Sequence, residues 1–185
     1  MVPRLKEHYL KKVTPALTKQ FGYSNRHQVP RLLKVVVNVT TKDAVADAKV
    51  LDVIADDLAI ITGQKPARTV AKRAISAFKI RQGMPLGLRV TLRGDRMYEF
   101  IDRFFNFAAP QIRDFQGFRP DSFDGRGGYN LGLSEQVIFP EIETAKMKKV
   151  TGMNIAFHTN AGHDDEARAL LTALGLPFGR KKTNG

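Results

Sequence analysis

RLLKVVVNVTTKDAVADAKVLDVIADDLAIITG, residues Arg31 to Gly63, changes its period partway through, and the rest of the chain is read outward from that break. The opening RLLKVVVNVT carries three consecutive valines flanked by apolar residues. β-Branched side chains suit a pleated surface, so this half reads as a buried strand. Beyond Asp43 the apolar positions spread out: Leu51, Ile54, Leu58 and Ile61 step by three, four and three, with Asp and Lys between them. That spacing marks one face of a helix, and Gly63 is its expected C-terminal stop.

Upstream, Leu5, Tyr9 and Val13 recur at spacing four and predict an amphipathic first helix, which Pro15 interrupts or bends and Gly22 ends. Downstream, ISAFKIRQG and LGLRVTLRG alternate as strands do, while the alanines of ARTVAKRAISA also suit a helix. Pro85 and Gly87 punctuate the segment as a sheet connection would. The expectation is therefore a strand after Gly63, an exposed basic loop around Lys72 to Ala77, and strands at about 75–81 and 86–93. DRMYEFIDRFFNFAAPQI places Met97, Phe100, Ile101, Phe104 and Phe105 on one helical face, a pattern of core packing and not of base stacking. After Pro110 the chain reads as loop through FQGFRPDSFDGRGGYNLGL, ending at Leu133. In TGMNIAFHTN the alternation of Met153, Ile155 and Phe157 predicts a strand. The last helix is expected to start near Asp164, Asp165 and Glu166, whose charges suit a helix N-terminus, and to run to Gly175.

Charge is distributed unevenly along this frame. No Asp or Glu occurs between Asp57 and Asp95, an interval that holds Lys65, Arg68, Lys72, Arg73, Lys79, Arg81, Arg89 and Arg93. The whole chain has 30 Lys and Arg against 18 Asp and Glu, a net charge of +12, so most of the surplus sits in this interval. Self-repulsion opposes compaction, so concentrated like charge points to a polyanionic partner. A merely solvated face would mix both signs.

The remaining composition narrows the class. A chain of 185 residues with 43% hydrophobic content and 12 Phe can bury one core, or two small lobes sharing one. With no Cys, disulfides, thiolate catalysis and thiolate-bound zinc are excluded, in keeping with a reducing compartment. The first residues lack the apolar run of a signal peptide, and Glu7 and Pro3 argue against a transit peptide. No window approaches the roughly 20 apolar residues of a membrane span. A soluble intracellular protein with an anionic partner is expected, nucleic acid first and an anionic membrane surface second.

Motifs for chemistry are weak by comparison. FDGRGGYNLG, Phe123 to Gly132, lacks the Gly-Lys-Ser/Thr ending of a phosphate loop, so its glycines read as turn or close-approach residues, with Arg126 as a candidate phosphate contact. His8, His27, His158 and His163 are too scattered for a metal set. Asp121, Asp124, Glu135, Glu141 and Glu143 are acids that a metal-dependent nuclease could in principle gather, but Glu141 and Glu143 stand two apart and no second acidic cluster answers them. Neither Ser76 nor Ser134 lies in a Gly-x-Ser-x-Gly elbow. No catalytic residue, metal or cofactor is expected. Binding fits better: Asn38, Gln64, Thr69, Ser76 and Thr91 offer short polar groups for 2′-hydroxyls and base edges beside the cations. Phe78 is the single aromatic of the basic segment, which favours structured RNA over an array of stacked single-strand bases.

Several segments together resemble one family. VPRLLKVVVN (Val29 to Asn38), ITGQKPARTVAKRAISAFKIRQGMPLGLRVTLRGDRMYEF (Ile61 to Phe100), IRDFQGF (Ile112 to Phe118), SFDGRGGYNLGLSEQVIFPEI (Ser122 to Ile142) and the late LLTALGLPF are similar to the bacterial-type large ribosomal subunit protein five family, from about residue 3 to residue 179. The resemblance implies an α+β fold, an antiparallel β-sheet packed against helices with a protruding basic loop, as a single domain over 1–179 with a basic flexible tail at 180–185. It implies a structural role in translation and no enzyme activity. The partners implied are 5S rRNA in the central protuberance, 23S rRNA, P-site tRNA, neighbouring large-subunit proteins and a small-subunit bridge protein, with no membrane. By matching position, Asn38, Gln64, Thr69 and Thr91 correspond to polar 5S rRNA contacts, with Lys65 and Arg93 as neighbouring phosphate partners. The loop Ala71 to Arg81, with Lys72, Arg73, Ser76, Lys79 and Arg81, corresponds to the element that reaches tRNA. The Ser134 to Met147 region corresponds to the part near the intersubunit bridge. A cytoplasmic, ribosome-bound location follows, with an organellar ribosome left open. Two departures stand out: VTTKD, containing Thr40 and Thr41, replaces a Gly-x-Gly turn after Asn38, and ETAKMKKVTGM brings Lys146, Lys148 and Lys149 into a stretch that is more acidic in the family.

Overall fold

The computed structural model describes residues 2–142 and 149–179. Five strands, β1 (Leu32–Thr40), β2 (Ala67–Val70), β3 (Pro85–Leu92), β4 (Tyr129–Leu133) and β5 (Met153–Thr159), form one antiparallel sheet in the order β2-β3-β1-β5-β4. The helices are α1 (Arg4–His8), α2 (Thr14–Phe21), α3 (Val50–Thr62), α4 (Gly94–Arg103) and α5 (Asp164–Ala173). This is the α+β arrangement of an antiparallel sheet packed against helices. Because β3 lies between β1 and β2 and runs against both, β1 and β2 are parallel to each other, and the chain from β1 through α3 to β2 leaves one strand position open for β3.

The residues divide into two compact units, one of 2–35, 92–131 and 156–179, the other of 36–91, 132–142 and 149–155. In the first, Leu5, Tyr9, Val13 and Leu17 are all buried, as their spacing of four predicts. Pro15 bends the segment in a specific way. It has no N–H to continue the ladder, and a π-helical turn over Tyr9–Val13 precedes it, so that both the backbone N–H and the hydroxyl of Thr14 donate to the Tyr9 carbonyl. Gly22 then closes α2 in the left-handed conformation (φ 69°). Met97, Phe100, Ile101, Phe104 and Phe105 are buried along α4 and the π-turn that follows it. Their rings continue into Phe118 and Phe157, with centroids 5.7 Å from Phe104 and 6.0 Å from Phe105 respectively.

In the second unit, Leu51, Ile54, Leu58 and Ile61 of α3 are buried together with Val37, Val39, Leu88 and Val90. Gly63 ends α3 at φ 66°, its N–H returning to the Ala59 carbonyl at 2.8 Å. The predicted strand at β1, the helix at α3, the strand at β5 and the last helix at α5 all form where their periods place them.

Two expectations are corrected. Residues 75–81 are not a strand: Ile75 and Ile80 make one isolated antiparallel bridge around a 3-10 turn, Ser76–Phe78, with Lys79 in the left-handed region at φ 55°. With most of 72–82 exposed there is no partner strand or core face to extend the pairing. Conversely, the predicted loop through Leu133 ends in a strand, β4, in which Tyr129, Leu131 and Leu133 are buried and Asn130 and Gly132 are exposed. The basic tail at 180–185 and the part of the bridge region from 143 to 148, including Glu143, Lys146 and Lys148, lie outside the described residues.

Candidate RNA interface

Alternation along the strands separates two sheet faces in the second unit. Val37, Val39, Leu88 and Val90 point toward the core with α3. Asn38 and Thr40 of β1, and Gly87, Arg89 and Thr91 of β3, take the opposite face. Register extends that face to β2, where Thr69 pairs with Gly87 and Ala67 with Arg89. Arg68, paired with Leu88, is directed to the helical side, where it forms an ion pair with Asp52 of α3. On β5, exposed Asn154 alternates with buried Met153 and Ile155. The polar groups of this face within the unit are therefore Asn38, Thr40, Thr69, Thr91 and Asn154 with Arg89, beside Val36, Ala67 and Gly87, and the face carries no acidic residue.

Two local details shape it. The Asn38 side-chain amide donates to the Thr40 hydroxyl at 3.3 Å. Gly87 permits a close approach of strands: a Cβ there would lie 2.5 Å from the Val39 carbonyl oxygen and 3.0 Å from the hydroxyls of both Thr40 and Thr69. Gly87 is itself buried, so the Val39 carbonyl and the two threonine hydroxyls close directly over its backbone, an approach that only a residue without a side chain allows.

Thus Asn38, Thr69 and Thr91 share one face. Gln64 and Lys65 stand at the exit of α3, where the Thr62 hydroxyl sits 2.7 Å from the Leu58 carbonyl and 3.1 Å from the Gln64 carbonyl. Gln64 is half-buried and Lys65 exposed. Arg93 belongs to the first unit, exposed and extended at the N-cap of α4. Sequence reasoning did not assign Thr40, Arg89 or Asn154; the first two are two residues from Asn38 and Thr91, so the period of the strand was the available signal. The departure at Thr40–Thr41 has a defined form: Thr41 caps a 3-10 turn, Lys42–Val45, its hydroxyl accepting from the Asp43 N–H at 3.3 Å.

The loop between β2 and β3 is a finger with a bonded neck and a bonded tip. At the neck the Ala71 N–H donates to the Met84 carbonyl and the Gly83 N–H to the Ala71 carbonyl, both at 2.9 Å. At the tip Ile75 and Ile80 exchange N–H···O bonds of 2.9 and 3.1 Å. Lys72, Arg73, Ser76, Lys79 and Arg81 are all exposed, as are Ile75 (46%) and Phe78 (65%). Of the eight cations between Asp57 and Asp95, Arg68 alone forms an ion pair among the described residues. Four of the other seven, Lys72, Arg73, Lys79 and Arg81, stand on this finger and give it an outward positive field.

The glycine-rich loop is differently occupied. The Asp124 carboxylate accepts the N–H groups of Arg126 (2.9 Å) and Gly128 (2.8 Å), and Asp164 accepts those of Gly125 (3.1 Å) and Gly127 (3.0 Å). These bonds hold the Asp124 carboxyl below its ordinary pKa. The amides that would cradle a phosphate already hold carboxylates, so the loop braces β4, and no phosphate cradle is available at Arg126. Nearby His158 is held below its usual pKa by burial first and by Lys34 second, with Asp124 opposing. Among the described residues no three His, Asp or Glu side chains gather as a metal would need, and no helix is long and apolar enough to cross a membrane.

A family model described as ribosomal protein L5 matches residues 25–81, and one described as the ribosomal L5P family C-terminus matches residues 85–178. Over 175 residues the chain is 56% identical to the large ribosomal subunit protein uL5 of Syntrophus aciditrophicus, covering 95% of this chain and 98% of the relative. It is 54% identical over 177 residues to the protein of the same name from Thermoanaerobacter sp., with 96% and 99% covered. The like-named protein of Desulforamulus reducens is 55% identical over 175 residues, with 95% and 97% covered.

Proposed function

The chain belongs to the ribosomal protein L5 family, structural proteins of the large ribosomal subunit and not enzymes, and on that footing we propose how it works there. It binds 5S rRNA in the central protuberance through the polar face of its sheet. Asn38, Thr69 and Thr91 meet 2′-hydroxyls and base edges, Gln64 adds a contact at the exit of α3, and Lys65 and Arg93 neutralise neighbouring phosphates. The finger, with Lys72, Arg73, Ser76, Lys79 and Arg81, reaches P-site tRNA. Other surfaces touch 23S rRNA and neighbouring large-subunit proteins, and the region following Ser134 contributes to a bridge with a small-subunit protein.

The observation that carries this reading is an uneven division: the sheet face offers mainly short uncharged hydrogen-bonding groups with the one cation Arg89, and Lys72, Arg73, Lys79 and Arg81 lie without ion pairs among the described residues on an exposed finger. Short neutral donors and acceptors discriminate among RNA surfaces, whereas cations attract any of them. The test is the affinity of the purified protein for 5S rRNA against an unrelated structured RNA of equal length, titrated over salt. Selectivity for 5S rRNA should survive high salt. Gln64→Ala with Thr91→Ala should reduce it by about 1–3 kcal/mol for each partner left unpaired. Arg73→Glu with Lys79→Glu should spare 5S binding and impair tRNA engagement. Equal loss of both functions in the finger variant would reject the division, and equal binding of both RNAs would leave only a general polyanion binder.

A further inference from the structure

A second acid-free interval lies near the N-terminus. No Asp or Glu occurs between Glu7 and Asp43, while Lys11, Lys12, Lys19, Arg26, Arg31, Lys34 and Lys42 fall inside it. Neither the sheet face nor the finger described above uses Arg26 or Arg31. Both line a concavity of about 330 Å³ in the first unit, together with His27, Tyr9, Leu10 and Val29.

The walls of this concavity are fixed. The Tyr9 hydroxyl donates to the Pro30 carbonyl at 3.0 Å, which holds the ring in place as part of the floor. Leu10 is 45% exposed beside it, and Val29 is buried. Arg26 and His27 ride on a 3-10 turn locked by a reciprocal cap, in which the Asn25 side chain accepts the His27 N–H at 2.9 Å and the Gln28 side chain accepts the Asn25 N–H at 3.4 Å. The Arg31 backbone is clamped to Asn160, donating to its side chain at 2.6 Å and accepting its N–H at 3.2 Å. All three rim side chains are exposed, and among the described residues none has an acidic partner. Both guanidinium groups lie close enough to favour an ionised Tyr9 phenol, although burial dominates and raises its pKa.

An apolar, aromatic floor under an unneutralised basic rim matches the two ends of one nucleotide. The base lies on exposed Leu10, with the nearly buried Tyr9 and Val29 beneath it, and the phosphates meet Arg26 and Arg31. The volume is at the lower end of small-ligand pockets, about 300–1,000 Å³, and has no room for a duplex. We propose that the Tyr9–Arg26–Arg31 concavity is a separate RNA contact that receives a single unstacked nucleotide. It stands independently of the 5S rRNA assignment to the sheet face.

The test uses the full chain and a short oligouridylate carrying one thiouridine, photo-crosslinked and mapped by peptide mass spectrometry. Crosslinks are expected at Tyr9 or His27 with the single strand and not with the same strand annealed to its complement. Arg26→Gln with Arg31→Gln should remove them and lower the salt slope of binding by about 1.4, from roughly 0.7 per phosphate on a single strand. Leu10→Glu, which leaves both arginines in place, should also remove them, while finger crosslinks persist in every variant. Circular dichroism and the melting midpoint guard against misfolding. The proposal is overturned if wild-type protein gives no crosslink within residues 9–31, or if the duplex labels these residues equally. Competition by polyglutamate as effective as by oligouridylate would also overturn it, reducing the concavity to a nonspecific anion patch. None of these outcomes depends on whether 5S rRNA is bound selectively.

Discussion

A methyl group at position 87 would meet the Val39 carbonyl oxygen, which belongs to the neighbouring strand and cannot rotate away as a flexible side chain would. Gly87→Ala should therefore force β3 away from β1 and cost about 1–3 kcal/mol, read as a lower urea midpoint with unchanged m-value. Because the added methyl would also press on the Thr40 and Thr69 hydroxyls, 5S rRNA affinity should fall by more than Thr69→Ala alone produces. Asp124 makes a pH-dependent contribution of opposite visibility. Backbone N–H groups depress its folded pKa below the unfolded value of about 3.9, so its stabilisation is present above that pH and is lost as pH falls through the folded pKa. Asp124→Asn, whose carbonyl oxygen can take the place of the one carboxylate oxygen that accepts both N–H groups, should flatten the loss of melting temperature between about pH 5 and pH 3. The exposure of the carboxylate keeps the effect modest. Gln136 shows what the sequence could not signal: it is buried, with its side-chain nitrogen 2.6 Å from the Lys149 carbonyl and its oxygen accepting the Thr151 hydroxyl at 3.1 Å. A lone Gln in a loop-like stretch has no pattern to reveal those distant partners.

At the scale of elements, periodicity was legible where a core read it. The stepping of Leu51, Ile54, Leu58 and Ile61 and the alternation of Met153, Ile155 and Phe157 each face buried neighbours, and each yields the expected element. ISAFKIRQG alternates too, but Ile75 and Phe78 find no surface to bury against, so the pattern ends in a single bridge. β4 errs the other way, because Asn130 and Gly132 on its outer face masked an alternation that Tyr129, Leu131 and Leu133 carry into the core. The polar sheet face was partly legible. Asn38, Thr69 and Thr91 were singled out, whereas their shared face required the register of β2 on β3. The finger makes a prediction proper to an element. Its residues from Lys72 to Gln82 are almost wholly exposed and its neck is closed by Ala71 and Met84. Replacing them with a short Gly-Asn-Gly turn should shift stability by less than about 0.5 kcal/mol while abolishing tRNA engagement. A large fall in the urea midpoint would show that the tip packs against the body.

For the molecule as a whole, most cations of the acid-free intervals have no internal ion pair among the described residues, with Arg68 on Asp52 and Lys11 on Glu7 as exceptions, whereas outside them Arg4 pairs with Asp102 and Lys6 with Asp95, both at 2.7 Å. The position of β3 has a consequence of another kind. A cut in the finger divides the strands into β1 and β2 on one fragment and β3, β4 and β5 on the other, yet β3 is hydrogen-bonded on one edge to β2 and on the other to β1. The two fragments are threaded through each other like clasped fingers. Trypsin has Lys72, Arg73, Lys79 and Arg81 exposed for cleavage there. Brief digestion should give two bands in denaturing gels and one peak in native gel filtration, parting only in urea. Separation in native buffer would mean that the covalent link through the finger, and not the interleaved strands, holds the halves as one. If they remain clasped, the chain can be severed at its most accessible point and still present an unbroken sheet.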